Sequence, residues 1–159
     1  MSRKKISNQY KIIKKKQIIT GAFLINSLIG KLIKKGKKIL IKKILKFVIQ
    51  NLEKKLQIPF SLVLEKAVKN VSPKFKVCNL KKNSTLQNDN LLGQKVIELN
   101  KFEATKISLS WLIKGAKERK MNNIIEALTF EILEAFKGKG NAIRYRLEWY
   151  QKVKLLKNI

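Results

Sequence analysis

The side chains with the clearest chemical capacity in this sequence are lysine ammonium groups, which occur in clusters. The densest cluster is residues 34–38, where Gly36 separates two lysine pairs; we call this segment the lysine corner. Ammonium groups neutralise phosphates, and the counterions that are then released from a polyanion drive binding. The lysine corner therefore predicts a partner rich in phosphate.

Four further basic clusters repeat this chemistry along the chain. Charge runs usually form solvated surface, but the acidic residues that would pair with these clusters are missing, except for Glu118 and Glu148. We interpret Glu118 as the local charge partner of Arg119. The whole set of predicted phosphate contacts is Arg3, Lys4, Lys5, Lys14, Lys15, Lys16, Lys34, Lys35, Lys37, Lys38, Lys117, Arg119, Lys120, Arg144 and Arg146.

The charge balance of the whole chain points to the same partner. Lysine and arginine together number 37 against 10 aspartates and glutamates, so the formal net charge is +27. A compact chain with this charge repels itself, and a polyanion relieves the repulsion. Arginine, which is suited to reading base edges, is scarce, whereas lysine acts as a point charge. The composition favours a nucleic acid that is bound through its shape and phosphates rather than its base sequence.

The residue types exclude several kinds of catalytic and metal chemistry. The chain contains no histidine and one cysteine, Cys78, so an internal disulfide, a zinc site and histidine acid–base catalysis are excluded within it. The carboxylates are scattered and suggest no catalytic pair. We expect no enzyme activity, no cofactor and no metal, and we interpret Cys78 as a free thiol that fills space.

The elements that position the lysine corner are two amphipathic segments, one on each side of it. Their apolar residues recur at the i, i+3, i+4 spacing of a helical hairpin. The same period returns later in the chain, where Asn123 has the spacing of a capping box. We predict a mainly α fold, a six-helix bundle-like domain over residues 17–159 that follows a basic N-terminal arm, residues 1–16. The predicted helices cover 17–35, 37–56, 59–71, 103–120, and two segments that begin at 123 and 141.

A change of pattern between the third and fourth helices predicts a β-hairpin over about residues 74–99. Two short, partly alternating runs, 74–78 and 95–99, flank a polar loop rich in Asn, Ser, Asp and Gly. The predicted tip is basic and carries Lys81 and Lys82, with Lys95 at the start of the second run. A flexible loop without strands is the other interpretation of this composition.

Three aromatic residues raise the question of base stacking. Trp111 lies next to an apolar helical stripe, which favours core packing over stacking. Trp149 is predicted on the apolar side of the last helix. Tyr145 lies between two arginines, and contact with RNA and plain exposure remain open for it.

Membrane insertion is not expected, because no apolar run of spanning length is free of lysine. The N-terminal arm is basic but has no small-residue cleavage site, so we interpret it as a functional arm rather than a targeting signal. The chain is predicted to be soluble.

Four segments resemble the bacterial-type family of small-subunit ribosomal protein seven. Residues 32–38 are similar to its hairpin corner, with Lys35 where the family usually has an acid. Residues 64–73 are similar to its Ala-Leu-Glu-Asn-Val-Arg-Pro passage, and 110–119 to its Arg-Trp-Ile-Val-Glu-Ala-Ala-Arg-Lys-Arg passage. Residues 138–146 are similar to Lys-Gly-x-Ala-Val-Lys-Lys-Arg. The matches occur in the correct order from residue 20 onward.

The resemblance implies a structural constituent of the small ribosomal subunit that takes part in translation. It implies an α-helical protein with a protruding β-hairpin that binds the 3′ major, or head, domain of small-subunit rRNA and helps to assemble it. The implied partners are this rRNA, neighbouring proteins of the head, and mRNA and exit-site tRNA near the hairpin tip at Lys81, Lys82 and Lys95. Carried over by position, the lysine corner, residues 117–120, Arg144, Arg146 and the N-terminal arm would contact rRNA.

Two departures from the family pattern bear on location. The hairpin tip is longer and lacks the family's Arg-Arg-Val-Gly-Gly and Tyr-Gln-Val-Pro sequences, and the aromatic, basic C-terminal ending is absent. Together with a composition rich in Lys, Ile and Asn, these reduced motifs suggest an organellar ribosome in the mitochondrial matrix. A plastid or the bacterial cytoplasm is the other possibility.

Two other functional classes fit the residues taken alone. A cationic amphipathic protein at a membrane surface would also present lysine-rich helices, and so would an architectural DNA-binding protein. The charge pattern does not separate them from an RNA-binding protein.

Overall fold

The computed structural model describes residues 21–79 and 94–157, and in these ranges the chain is mainly helical with one pair of strands. The predicted fold class is thereby confirmed, since six helices and two strands lie in the described residues. In chain order these are α1 (described over 21–32), α2 (Lys38–Leu56), α3 (Phe60–Val71), β1 (Phe75–Asn79), β2 (Gln94–Glu98), α4 (Lys101–Glu118), α5 (Ile124–Phe136) and α6 (Asn141–Lys157).

The helical hairpin around the lysine corner forms as predicted, with slightly shorter helices. α1 ends at residue 32 rather than 35, and α2 begins at Lys38. The apolar stripe of α1 buries Leu24 and Leu28, and that of α2 buries Leu45, Val48 and Leu52. These residues recur every three or four positions, so each helix turns one apolar face inward and leaves its lysines in solvent.

The core is built around α5, which packs against α2, α3 and α4. Asn123 caps α5, because its side-chain oxygen accepts a hydrogen bond from the Ile125 N–H at 3.0 Å. The predicted capping residue is therefore correct. The same core takes in the apolar stripes of α3 and α4 and the first turn of α6. Within the described ranges, no helix is both long enough and apolar enough to cross a bilayer.

The two predicted strands form an antiparallel pair, each displaced by one residue from its expected range. Val77 lies opposite Val96 in the register. The base of the pair is tied to α6, since the Trp149 indole N–H donates to the Phe75 carbonyl at 2.7 Å. The Lys74 N–H donates to the Tyr150 hydroxyl at 3.0 Å. The predicted hairpin is confirmed for its two strands. Its tip, with Lys81 and Lys82, lies outside the described residues.

Both tryptophans serve packing. Trp111 is half-buried against the core, as predicted, and meets Trp149 edge-on with ring centroids 6.2 Å apart. Because Trp149 also holds the strand base through its N–H, the pair links α4, α6 and β1.

Candidate nucleic-acid interface

The lysine corner is a tight turn whose four lysine side chains are all exposed. The Lys37 N–H donates to the Lys34 carbonyl at 3.2 Å, which closes a four-residue turn. Both central residues have positive φ, +50° at Lys35 and +72° at Gly36, which is the signature of a type I′ turn. The backbone thus gathers four ammonium groups at one corner of the molecule.

Lys35 occupies a backbone conformation that suits it poorly. A residue with a Cβ in the left-handed region is strained, whereas Asn, Asp and Gly adopt it readily. An aspartate or asparagine at this position would fit the turn better than lysine does. The chain therefore keeps a positive charge here at a conformational cost.

We expect Lys35→Asn to raise the free energy of unfolding by about 0.5–1 kcal/mol while it lowers affinity for a polyanion. The first effect comes from relief of the left-handed strain, and the second from loss of one exposed charge. Urea denaturation and RNA filter binding measure the two. The matched control is Lys43→Asn, which removes an exposed lysine inside α2 and should not stabilise the fold. Equal effects of both variants on stability would contradict the prediction.

The predicted cluster at the end of α4, residues 117–120, contains two exposed lysines and one arginine that is paired with carboxylates. Lys117 and Lys120 are exposed, but the Arg119 side chain is only 17% exposed. Its Nε–H donates to Glu131 at 2.7 Å, and its terminal nitrogen donates to Glu134. Burial lowers the pKa of Arg119, but the two carboxylates more than offset this and the net pKa is raised. The charge of Arg119 is therefore neutralised by carboxylates within the protein.

The expected pairing of Glu118 with Arg119 is wrong. The Glu118 carboxylate lies 3.7 Å from the Lys114 ammonium and 3.4 Å from the Arg144 guanidinium. The helical period explains this result, because Lys114 lies one turn before Glu118 on the same face of α4. Arg119 instead faces α5.

Glu131 is a structural residue that the sequence interpretation missed. It is fully buried, and its second oxygen accepts the Ala142 N–H of the first turn of α6 at 2.7 Å. One carboxylate thus joins the end of α4, through Arg119, to the start of α6. The available signal was an acid between Leu128 and Ile132 in the buried stripe of α5, where a charge must find partners.

The predicted cluster on α6, Arg144 and Arg146, mostly forms contacts within the protein. Arg144 is exposed and lies 3.4 Å from both Glu118 and Glu148. Arg146 is half-buried and donates to the Asn70 carbonyl at the end of α3. Within the described part of the chain its Nε has no hydrogen-bond partner.

Tyr145 is not exposed, so plain exposure, one of the two interpretations left open for it, is wrong; contact with RNA remains a prediction. Its exposed fraction is 8%, and the Lys114 ammonium lies 4.4 Å from its ring centroid. Burial, together with the nearby Glu118 carboxylate, raises the pKa of the Tyr145 hydroxyl to about 12. The helix turns this side chain inward while Arg144 stays in solvent.

Two of the five predicted clusters contain lysines that are exposed and form no ion pair with any described residue. Arg3, Lys4, Lys5, Lys14, Lys15 and Lys16 lie outside the described residues, and Lys95 lies in β2. The exposed set is Lys34, Lys35, Lys37, Lys38, Lys117 and Lys120.

The tertiary structure brings these two clusters to the same end of a helix pair. Phe23 of α1 contacts Phe102 of α4, and the Lys31 ammonium donates to the Ser110 hydroxyl at 2.6 Å. Each contact joins residues 79 positions apart, so the earlier residue of α1 meets the earlier residue of α4 and the later residue meets the later one. The two helices therefore run parallel, and their C-terminal ends point the same way. The lysine corner follows the end of α1, and Lys117 and Lys120 lie at the end of α4.

Comparison with known proteins gives a consistent match over most of the chain. A family model described as Ribosomal protein S7p/S5e matches residues 2–153. Small ribosomal subunit protein uS7 of Dictyoglomus turgidum is 31% identical over 133 residues, which cover 84% of this chain and 81% of that relative. The protein of the same name from Mycobacterium avium is 27% identical over 128 residues, covering 80% of this chain and 78% of the relative.

Proposed function

This chain belongs to the Ribosomal protein S7p/S5e family, with a structural role in the small ribosomal subunit, and from this premise we propose that it binds small-subunit rRNA in the head domain. The observation that carries the proposal is the parallel packing of α1 and α4. It places Lys34, Lys35, Lys37, Lys38, Lys117 and Lys120 beyond the C-terminal ends of the same helix pair or in its last turn.

The mechanism is electrostatic and needs no chemical step. Exposed ammonium groups on a rigid helical core meet phosphates that converge at a junction of the RNA, and the released counterions favour the complex. The core supplies the rigidity, since Arg119, Glu131 and the first turn of α6 are joined by buried hydrogen bonds. Phosphate contacts of this kind set position and orientation rather than sequence preference.

The proposed contact set is narrower than the sequence alone indicated. Arg119 and Arg146 hold the fold, so we propose them as positioning residues behind the interface. Arg144 is exposed and can exchange its two carboxylate partners for phosphate. The N-terminal arm, with Arg3, Lys4, Lys5, Lys14, Lys15 and Lys16, remains a proposed rRNA contact.

Further partners and the location follow from the family and the composition. We propose neighbouring proteins of the subunit head as partners, and mRNA and exit-site tRNA near Lys81, Lys82 and Lys95. A mitochondrial ribosome is proposed on the composition rich in Lys, Ile and Asn. Detection of the chain in small subunits from purified mitochondria supports this location, and its presence only in other ribosomes contradicts it.

Binding measured against three competitors tests the function. The purified chain is titrated with a head-domain transcript of small-subunit rRNA, with duplex DNA of equal length, and with anionic vesicles. We expect the transcript to bind most tightly, with log K falling against log salt at a slope of roughly −4 to −5 if about six phosphates are neutralised. Preference for DNA or vesicles, or an affinity independent of salt, would overturn the proposal.

A further inference from the structure

Two half-exposed phenylalanines lie side by side, Phe23 near the beginning of the described part of α1 and Phe102 in the first turn of α4. Phe23 is 44% exposed and Phe102 is 47% exposed, and their ring centroids are 5.8 Å apart at an interplanar angle of 39°. With Lys106, whose ammonium lies 4.2 Å from the Phe102 centroid, they form what we call the aromatic platform. A contiguous exposed apolar patch marks a binding site more often than a single exposed ring does, and these two rings contact each other.

The charges around the aromatic platform favour an anionic partner. Lys101 and Lys106 are exposed in the first turns of α4. The nearby carboxylate, Glu103, lies 3.0 Å from the Lys76 ammonium of β1 and is neutralised by it. A partner that presents flat apolar surface together with negative charge fits this site, and an unstacked nucleotide combines both.

The aromatic platform and the lysine corner lie at opposite ends of the same helix pair, α1 and α4. The lysine corner begins eleven residues after Phe23, which is about 17 Å at a rise of 1.5 Å per residue. About five nucleotides span that distance at about 3.4 Å per stacked nucleotide. A single strand that runs along α1 and α4 can therefore place a base on the rings and phosphates about five nucleotides further along at the lysine corner.

We propose that the aromatic platform stacks an unpaired base of the same RNA strand whose phosphates, about five nucleotides away, the lysine corner neutralises. The proposal rests on the proposed function and adds to it a contact with bases. Stacking of this kind accepts any base, because every base has a π face. This contact makes the chain recognise single-stranded RNA in addition to closely spaced phosphates.

The test compares a single-stranded oligoribonucleotide of about eight adenosines with an abasic strand of the same length and charge. We expect the native chain to bind the adenosine strand about tenfold more tightly than the abasic one, as base–aromatic stacking predicts. The double variant Phe23→Leu with Phe102→Leu keeps apolar side chains but removes the rings. It should bind both strands alike, with an unchanged dependence on salt.

The matched control is Phe47→Leu, which changes a phenylalanine of α2 that is 54% exposed and lies away from the aromatic platform. This control should keep the discrimination between the two strands. Circular dichroism verifies folding, and the two single variants replace the double one if it unfolds.

Two results would separate failure of this inference from failure of the function. If the double variant discriminates as the native chain does, or if it only loses thermal stability, the rings pack against protein and the aromatic platform is not a base site. In that case salt-dependent binding of both strands still supports the proposed function. If the native chain binds neither strand in a salt-dependent way, the function itself is contradicted.

Discussion

Replacing Lys34, Lys37 and Lys38 together by glutamate is expected to lower the affinity for the head-domain transcript by about two orders of magnitude at moderate salt. The three side chains are exposed, and none is paired with a described residue. Each phosphate contact that is lost should reduce the slope of log K against log salt by about one. The slope should therefore become shallower by about three while the helical content by circular dichroism stays the same.

A charge-matched control separates position from net charge. Lys46, Lys54 and Lys152 are exposed and lie on α2 and α6 away from the lysine corner, and their reversal changes the net charge equally. We expect this variant to lose far less affinity, because long-range attraction is screened beyond about 10 Å at 0.1 M salt. Equal losses in the two triple variants would show that the lysine corner has no special role.

The largest effect on stability is expected for Glu131→Gln, at about 3–5 kcal/mol in the free energy of unfolding. The buried carboxylate accepts hydrogen bonds from Arg119 at 2.7 Å and from the Ala142 N–H at 2.7 Å. The two donors reach different oxygens of the carboxylate, so in the amide one of them faces an NH2 group that cannot accept. The buried guanidinium also keeps only the carboxylate of Glu134. Urea denaturation measures the loss.

Two further variants define what Glu131 contributes. Glu134 is 39% exposed, so Glu134→Gln should cost only about 1 kcal/mol, as exposed pairs do. Gly115→Ala tests the same carboxylate sterically, because a Cβ on Gly115 would lie 2.7 Å from the Glu131 Oε1, and it should cost about 2–3 kcal/mol. If Glu131→Gln unfolds no more easily than Glu134→Gln, the buried pair is not what joins α4 to α6.

The elements of the fold were largely predictable because they depend on local patterns. Recurrence of apolar residues every three or four positions predicted the helices, and Asn123 predicted the start of α5. The strand boundaries missed by one residue each, since short alternating runs carry little positional information. The lysine corner was recognisable because its charges and its glycine are adjacent in sequence.

The role of each charged residue was predictable only in part. Arg119 and Lys117 belong to one cluster in sequence, yet Arg119 is enclosed by two glutamates of α5 while Lys117 is exposed. Tyr145 lies between two arginines but is buried. A residue's neighbours along the chain do not indicate which helix faces it, and that facing helix decides whether a charge is paired or free.

By itself, the sequence determined the mainly α fold, the excess of positive charge, the family and the lysine corner, because composition, periodicity and adjacent residues carry that information. The tertiary structure decided which of the basic residues share a surface. The parallel packing of α1 and α4 and the pairing of Phe23 with Phe102 join residues 79 positions apart. No local pattern records such a contact, since it arises only when the core packs, and this packing places the C-terminal ends of α1 and α4 at the same end of the helix pair.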